Sequence, residues 1–153
     1  MTTEEVFPLL ATRQDRLNHI FALELAMLNA GLPSIDLPTR HHITADTYTR
    51  ELDIPADTLI VGHMHRHGHV NLLVKGTVTV ACAEGTQTIS APFIYTSPPG
   101  TKRAIYAHTD ATWVCSHHKP RDLSAVADLE QYLLLPEPEA MAFWLSLNPP
   151  ESE

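Results

Sequence analysis

The chain has 153 residues and carries ten Lys+Arg against eighteen Asp+Glu, a formal net charge of −8. That length suits a single core, and 44% hydrophobic with 18% charged residues excludes wholesale disorder. No basic stretch interrupts the acidity, which excludes nucleic acid or an anionic membrane surface as the main partner. No run of about 18 apolar residues is present to cross a bilayer. The start, Met1 to Pro8, lacks the basic and apolar parts of a secretion signal, so a cytoplasmic setting is expected. Cys82 and Cys115 make no disulfide framework and suit a reducing compartment.

The first predicted element is a helix from Arg13 to Ala30, with Leu17, Ile20, Phe21, Leu25 and Leu28 at helical spacing. Thr12 with Asp15 forms a weak capping box, and Gly31 with Pro33 supplies the stop. Leu32 to His42, with Pro33 and Pro38, reads as a surface linker. From Ile43 to His118 the pattern changes to period two. Tyr48, Arg50, Leu52 and Ile54 alternate with polar neighbours, and Leu59, Val61, His63 and His65 share one face of the next strand. Further β-rich runs are Val70–Val80, Thr86–Thr96 and Arg103–Ser116, separated by turns at Ala83-Glu84-Gly85 and Ser97-Pro98-Pro99-Gly100. Short strands broken by Gly and Pro, with no helix between them, predict an antiparallel sandwich or barrel. The tail returns to helix: Asp122, a plausible N-cap, starts one to Leu134, and after Pro136 and Pro138 a second runs from Glu139 to Leu147. The chain is therefore one mainly β unit: helix and linker over residues 1–42, barrel over 43–118, helices over 119–153. The terminal helices pack on the barrel or on a partner.

Histidine is the anomaly. Of ten, four fall in His63-Met64-His65-Arg66-His67-Gly68-His69. In a strand, residues two apart project to one face, so His63 and His65 aim at one point, and Gly68 lets the chain bend and bring His69 opposite them. Imidazole suits Zn, Fe, Cu and Ni rather than Mg or Ca. The competing reading is a solvent-facing histidine-rich edge; against it, Leu59 and Val61 precede the pair on the same face. His67 is assigned to the surface or to supporting hydrogen bonds.

These residues resemble the cupins. That family carries a first motif G-x5-H-x-H-x3/4-E-x6-G and a second, G-x5-P-x-G-x2-H-x3-N. Here His63, His65, His69 in the glutamate's place and Gly76 match the first, while Pro98-Pro99-Gly100 matches part of the second. Arg103 stands where the family's last metal histidine would be, and Ala107 replaces the asparagine. The resemblance covers residues 45 to 118 and implies a jelly-roll barrel, but no one reaction, since cupins include dioxygenases, isomerases, lyases, storage proteins and sensor domains. Ser97 to His108, with Lys75-Gly76 and Trp113, is also similar to small cupin-type proteins of tailed bacteriophages, which implies a viral setting and no known activity.

The departures shape the expected chemistry. Three neutral ligands, His63, His65 and His69, would leave a metal, Fe(II) or Zn(II) first and Ni(II) or Mn(II) next, with its full charge and a preference for anions. Arg103, if it points inward, would hold a carboxylate or phosphate; the commoner fate of Lys102-Arg103 is a solvated pair at a strand start. Tyr106 and Tyr95 are candidate proton donors, although strand aromatics mostly pack. His108 is expected at the rim, Cys115 as packing and His117 at the surface. Two functions follow. One is a metal-dependent enzyme on a small anionic molecule, an Fe(II) dioxygenase or a metal-assisted lyase, with Arg103 and Tyr106 as catalytic residues. The other is a non-catalytic module that binds a ligand or a protein partner. A homodimer is the default expectation from the resemblance.

Overall fold

The computed structural model describes residues 12–31 and 36–149, so the expectations for Met1–Pro8 and for Leu32–Ile35 lie outside the described residues. The first element, α1 (Arg13–Asn29), is capped as its sequence predicts: Thr12 Oγ1 accepts the Asp15 backbone N–H at 3.0 Å. Of the expected stripe, Leu17 and Ile20 are buried, whereas Leu25 and Leu28 stand 58% and 74% exposed.

Ten strands follow before the chain turns back to helix: β1 (Thr39–Ile43), β2 (Thr47–Ile54), β3 (Leu59–Val61), β4 (Met64–His65), β5 (His69–Lys75), β6 (Thr77–Cys82), β7 (Gly85–Ser90), β8 (Phe93–Ser97), β9 (Ala104–Ala107) and β10 (Ala111–His118). Nine of them form a five-stranded sheet, β1-β2-β10-β5-β8, and a four-stranded sheet, β3-β9-β6-β7, both antiparallel. Ile54, Leu73, Val78, Val80, Ile105 and Trp113 fill the space between the two sheets. This is the predicted antiparallel sandwich, and its cause is visible in β10, where Ala111, Trp113, Cys115 and His117 are buried and alternate with less buried residues.

The expected surface linker is corrected at its end. Thr39–Ile43 is a strand in register with β2, so the sheet begins before residue 43. Its residues are mostly exposed, so no apolar alternation marks it; Arg40 instead ties it to Glu51 and Asp53 of β2 at 2.9 and 2.7 Å. The long β runs also divide. Val70–Val80 breaks at Gly76, whose φ is +88° and whose Cβ, were there one, would lie 2.3 Å from the Asp110 carbonyl oxygen. We expect Gly76→Ala to cost at least about 2 kcal/mol, since it imposes both left-handed strain and a backbone clash. Urea denaturation of the variant checks this.

At the other end, Asp122 caps no helix. The buried Lys119 donates from Nζ to the carbonyls of Pro120 and Leu123 at 3.1 and 2.7 Å and turns the chain there, so α2 (Val126–Leu133) starts later, with no side-chain cap. The strand β11 (Leu134–Leu135) then pairs with β4, Leu134 opposite His65. Next, α3 (Glu137–Leu147) begins before its expected start, because Pro138 sits in its first turn, where a missing N–H costs nothing. Leu17 of α1, Met64 of β4, Leu135, and Ala140 and Trp144 of α3 form a second core that closes one end of the barrel. No helix among the described residues is long and apolar enough to cross a membrane.

Candidate functional site

Three imidazoles meet inside the sheets. His65 enters from β4, His69 from the start of β5 and His117 from the end of β10. Their ring centroids lie 4.4 Å (His65–His69), 4.7 Å (His69–His117) and 5.6 Å (His65–His117) apart. Burial is the main cause that holds all three neutral, with the Arg103 charge adding to it: His65 falls to about 2, His69 to about 4 and His117 to about 3. The Nδ1 atoms of His65 and His117 are buried without a hydrogen-bond partner.

Beside them, Arg103 is 6% exposed. It directly precedes β9 (Ala104–Ala107), and its carbonyl accepts the Gly62 N–H at 3.1 Å. Its Nη1 lies 3.2 Å from His69 Nε2 and 3.4 Å from Ser97 Oγ, and its Nη2 lies 3.2 Å from Cys115 Sγ. The guanidinium carbon sits 5.2 Å from the Trp113 ring centre. His69 Nδ1 faces the His67 carbonyl at 3.2 Å, so Nδ1 carries the proton and Nε2 accepts from Arg103. Asn71 completes the floor: its Nδ2 donates to Ser97 Oγ at 2.7 Å, and its Oδ1 accepts from the Cys115 thiol at 3.3 Å. Among the described residues no carboxylate pairs with Arg103. Arg103 also lines a cavity of about 450 Å³ between the barrel interior and the terminal helices, with Val80, Cys82 and Tyr95 on one side and Trp144 and Leu147 of α3 on the other.

Of the residues singled out in the sequence, the structure brings His65, His69 and Arg103 together. His63 stands apart: its side chain is 58% exposed and its Nδ1 lies 3.7 Å from Glu137 Oε1. The strand pairing lapses at Gly62-His63, between β3 and β4, so the two-residue alternation linking His63 to His65 is lost. Tyr106 also lies outside; its hydroxyl donates to Asp57 Oδ1 at 2.9 Å, and its ring meets His108 edge-on, because Ile105 takes the inward place on β9. Tyr95, pushed up to about 12 by burial, lines the cavity, and the buried Tyr48 ring lies 6.2 Å from that of His117. His67 stacks on Tyr132 at 4.7 Å. His117, expected at the surface, is 5% exposed; its alternation with Trp113 and Cys115 was the signal that located it. Lys102, expected to be solvated, is buried and holds the terminal helices together: its Nζ contacts Glu24 of α1 at 3.1 Å and Glu137 of α3 at 2.7 Å and donates to the Gly62 carbonyl.

No family model and no curated protein matches the sequence. Solved structures do. Salicylate 1,2-dioxygenase from Pseudoaminobacter salicylatoxidans superposes at a TM-score of 0.51 with 10% identity over 76% of this chain, which spans 33% of that enzyme. A cupin-2 domain protein from Shewanella frigidimarina aligns at a TM-score of 0.46, with 14% identity over 61% of this chain and 92% of that one. A cupin domain from Bordetella pertussis aligns at 0.46, with 19% identity over 58% and 99%. The fold is that of a cupin. At these identities the likeness is one of fold, and the site must be judged on its own atoms.

The metal that a cupin suggests does not fit the donor set as arranged. His63 is outside the cluster, the His65 and His117 planes lie 9° apart in a stack instead of aiming at a common point, and the free lone pair of His69 accepts from a cation. Among the described residues no group of three or more His, Cys, Asp or Glu side chains is placed to hold a metal ion. A buried guanidinium lies 3.2 Å from His69 Nε2, and its positive charge opposes a cation at that point.

Proposed function

We propose that this cupin binds a small anionic molecule and that Arg103 is the residue that holds it. The observation that carries the reading is a guanidinium 6% exposed, without a carboxylate partner among the described residues, lining a cavity large enough for a ligand. Burying a charge without a counter-charge costs several kcal/mol, and a bound anion offsets that cost. Its fork suits a carboxylate or phosphate bidentately. The neutral imidazoles of His65, His69 and His117 lie behind Arg103 and outside the cavity lining, so they add no counter-charge. Imidazoles with such depressed basicity are poor proton acceptors near neutral pH, which favours holding a ligand over abstracting its proton. A ligand-binding module is thus supported more strongly than a metal-dependent dioxygenase or lyase, whose expected ligand His63 and proton donor Tyr106 lie apart from His65 and His69.

The test pairs binding with metal analysis. Acetate and inorganic phosphate are titrated into untagged protein by calorimetry, with acetamide as the uncharged control. At least one anion is expected to bind, and acetamide is not. Silence from both anions sinks the reading. So does a stoichiometric transition metal that disappears in His65→Ala.

A further inference from the structure

We infer that the ligand is a monoanion with an apolar body, its charge on Arg103 and its body lying toward α3; this rests on the reading that Arg103 holds an anion. Three cations line the cavity, and two are already matched. Lys102 is saturated by Glu24, Glu137 and the Gly62 carbonyl, and Arg13 faces Glu84 at 3.5 Å. A single positive charge therefore remains for a ligand among the described lining residues. One guanidinium matches one carboxylate; a second anionic group would have to lose its water without a partner.

The rest of the lining says what the body is. From Arg103 the cavity continues past Val80 and Tyr95 to Pro98, Trp144 and Leu147. These surfaces offer few hydrogen bonds and reward the removal of apolar area from water. Leu147 and Trp144 are fixed in place against the Pro98-Pro99-Gly100 turn, where a Cβ on Gly100 would meet them at 3.3 and 3.5 Å. Leu147 is 45% exposed, an apolar rim that a bound body covers. A volume of about 450 Å³ is small for a ligand cavity, which fits one short chain or ring system. The terminal helices thus supply the wall that selects for apolar character, while the barrel supplies the charge.

The experiment is a calorimetric series on the intact chain with acetate, butanoate, hexanoate and octanoate, the dicarboxylates succinate and suberate, and inorganic phosphate. Affinity is expected to rise by about three- to four-fold for each methylene buried, and suberate should bind more weakly than octanoate. Leu147→Ser, at an exposed rim position, should weaken octanoate several-fold and leave acetate unchanged. Arg103-dependent binding that is equal for acetate and octanoate overturns the apolar body while leaving the anion site intact. Tighter binding of phosphate or suberate than of octanoate overturns the monoanion. Absence of binding by every anion in the series removes the underlying reading along with the inference.

Discussion

Replacing Arg103 by Met is expected to abolish anion binding while leaving the empty protein at least as stable as the parent. Truncating one member of a buried, hydrogen-bonded charge pair costs about 2–5 kcal/mol of binding, a loss of at least about thirty-fold in affinity. The opposite sign is expected for folding. The guanidinium sits 6% exposed without a carboxylate among the described residues, so its removal relieves a desolvation penalty. What is given up is a contact each to His69, Ser97 and Cys115 and the face of Trp113. These bonds from a charged donor are long, at 3.2–3.4 Å, and with the ring contact they offset most of that penalty, so an unchanged or slightly raised stability of the empty state is the expected balance. Met fills the volume that Ala would leave hollow. Chemical denaturation with and without octanoate reads both effects together. A variant that binds as before, or one that loses several kcal/mol of stability in the empty state, assigns Arg103 a structural role instead.

Acid should unfold the protein through its histidines before its carboxylates. Free histidine titrates near 6.5, whereas in the folded chain His65, His69 and His117 are held at about 2, about 4 and about 3, chiefly by burial. Their folded values are depressed, so the unfolded chain binds more protons between about pH 4 and 6.5. Stability is complete above that window and falls as pH drops through it. Three protons taken up on unfolding give a slope of about 4 kcal/mol per pH unit near pH 5, against a total stability of about 5–15 kcal/mol. The carboxylates act lower: Asp53, bonded to Arg40 and Thr112, is held at about 2 and loses its contribution only below its usual range. Urea midpoints at pH 7, 6 and 5 measure the slope. His117→Gln should flatten it by about one proton, roughly 1.4 kcal/mol per pH unit. A stability that is flat from pH 7 to 5 would refute a neutral, buried cluster.

Much of the fold was readable before any coordinates. Thr12, Asp15 and Gly31 marked α1 at both ends because capping and stopping are local acts of one or two residues. The alternation along β2 marked a strand because successive side chains face opposite sides of the sheet, while the single run Arg103–Ser116 divides in the structure into β9 and β10. Strand β1 escaped notice because its residues are mostly exposed and leave no alternation, and α2 escaped its expected start because Lys119 diverts the chain by bonding to carbonyls that no pattern announces. For the site, the spacing of His65 and His69 and the arginine in the second motif were visible as residues. Their meeting, and the exclusion of His63, depended on a break in strand pairing at Gly62-His63.

Residue order alone was enough for the classes of element, the antiparallel arrangement and the presence of an arginine where a ligand histidine was expected. The first two follow from side-chain periodicity and from turn residues close in the sequence, the third from the resemblance to the cupin motifs. Which imidazoles share a chamber, that Arg103 lacks a counter-charge among the described residues, and that Trp144 and Leu147 wall its cavity were settled only when distant segments came together. Charge compensation and cavity shape are properties of neighbours in space, and Arg103 lies 34 residues from His69 along the chain yet 3.2 Å from it in the folded protein.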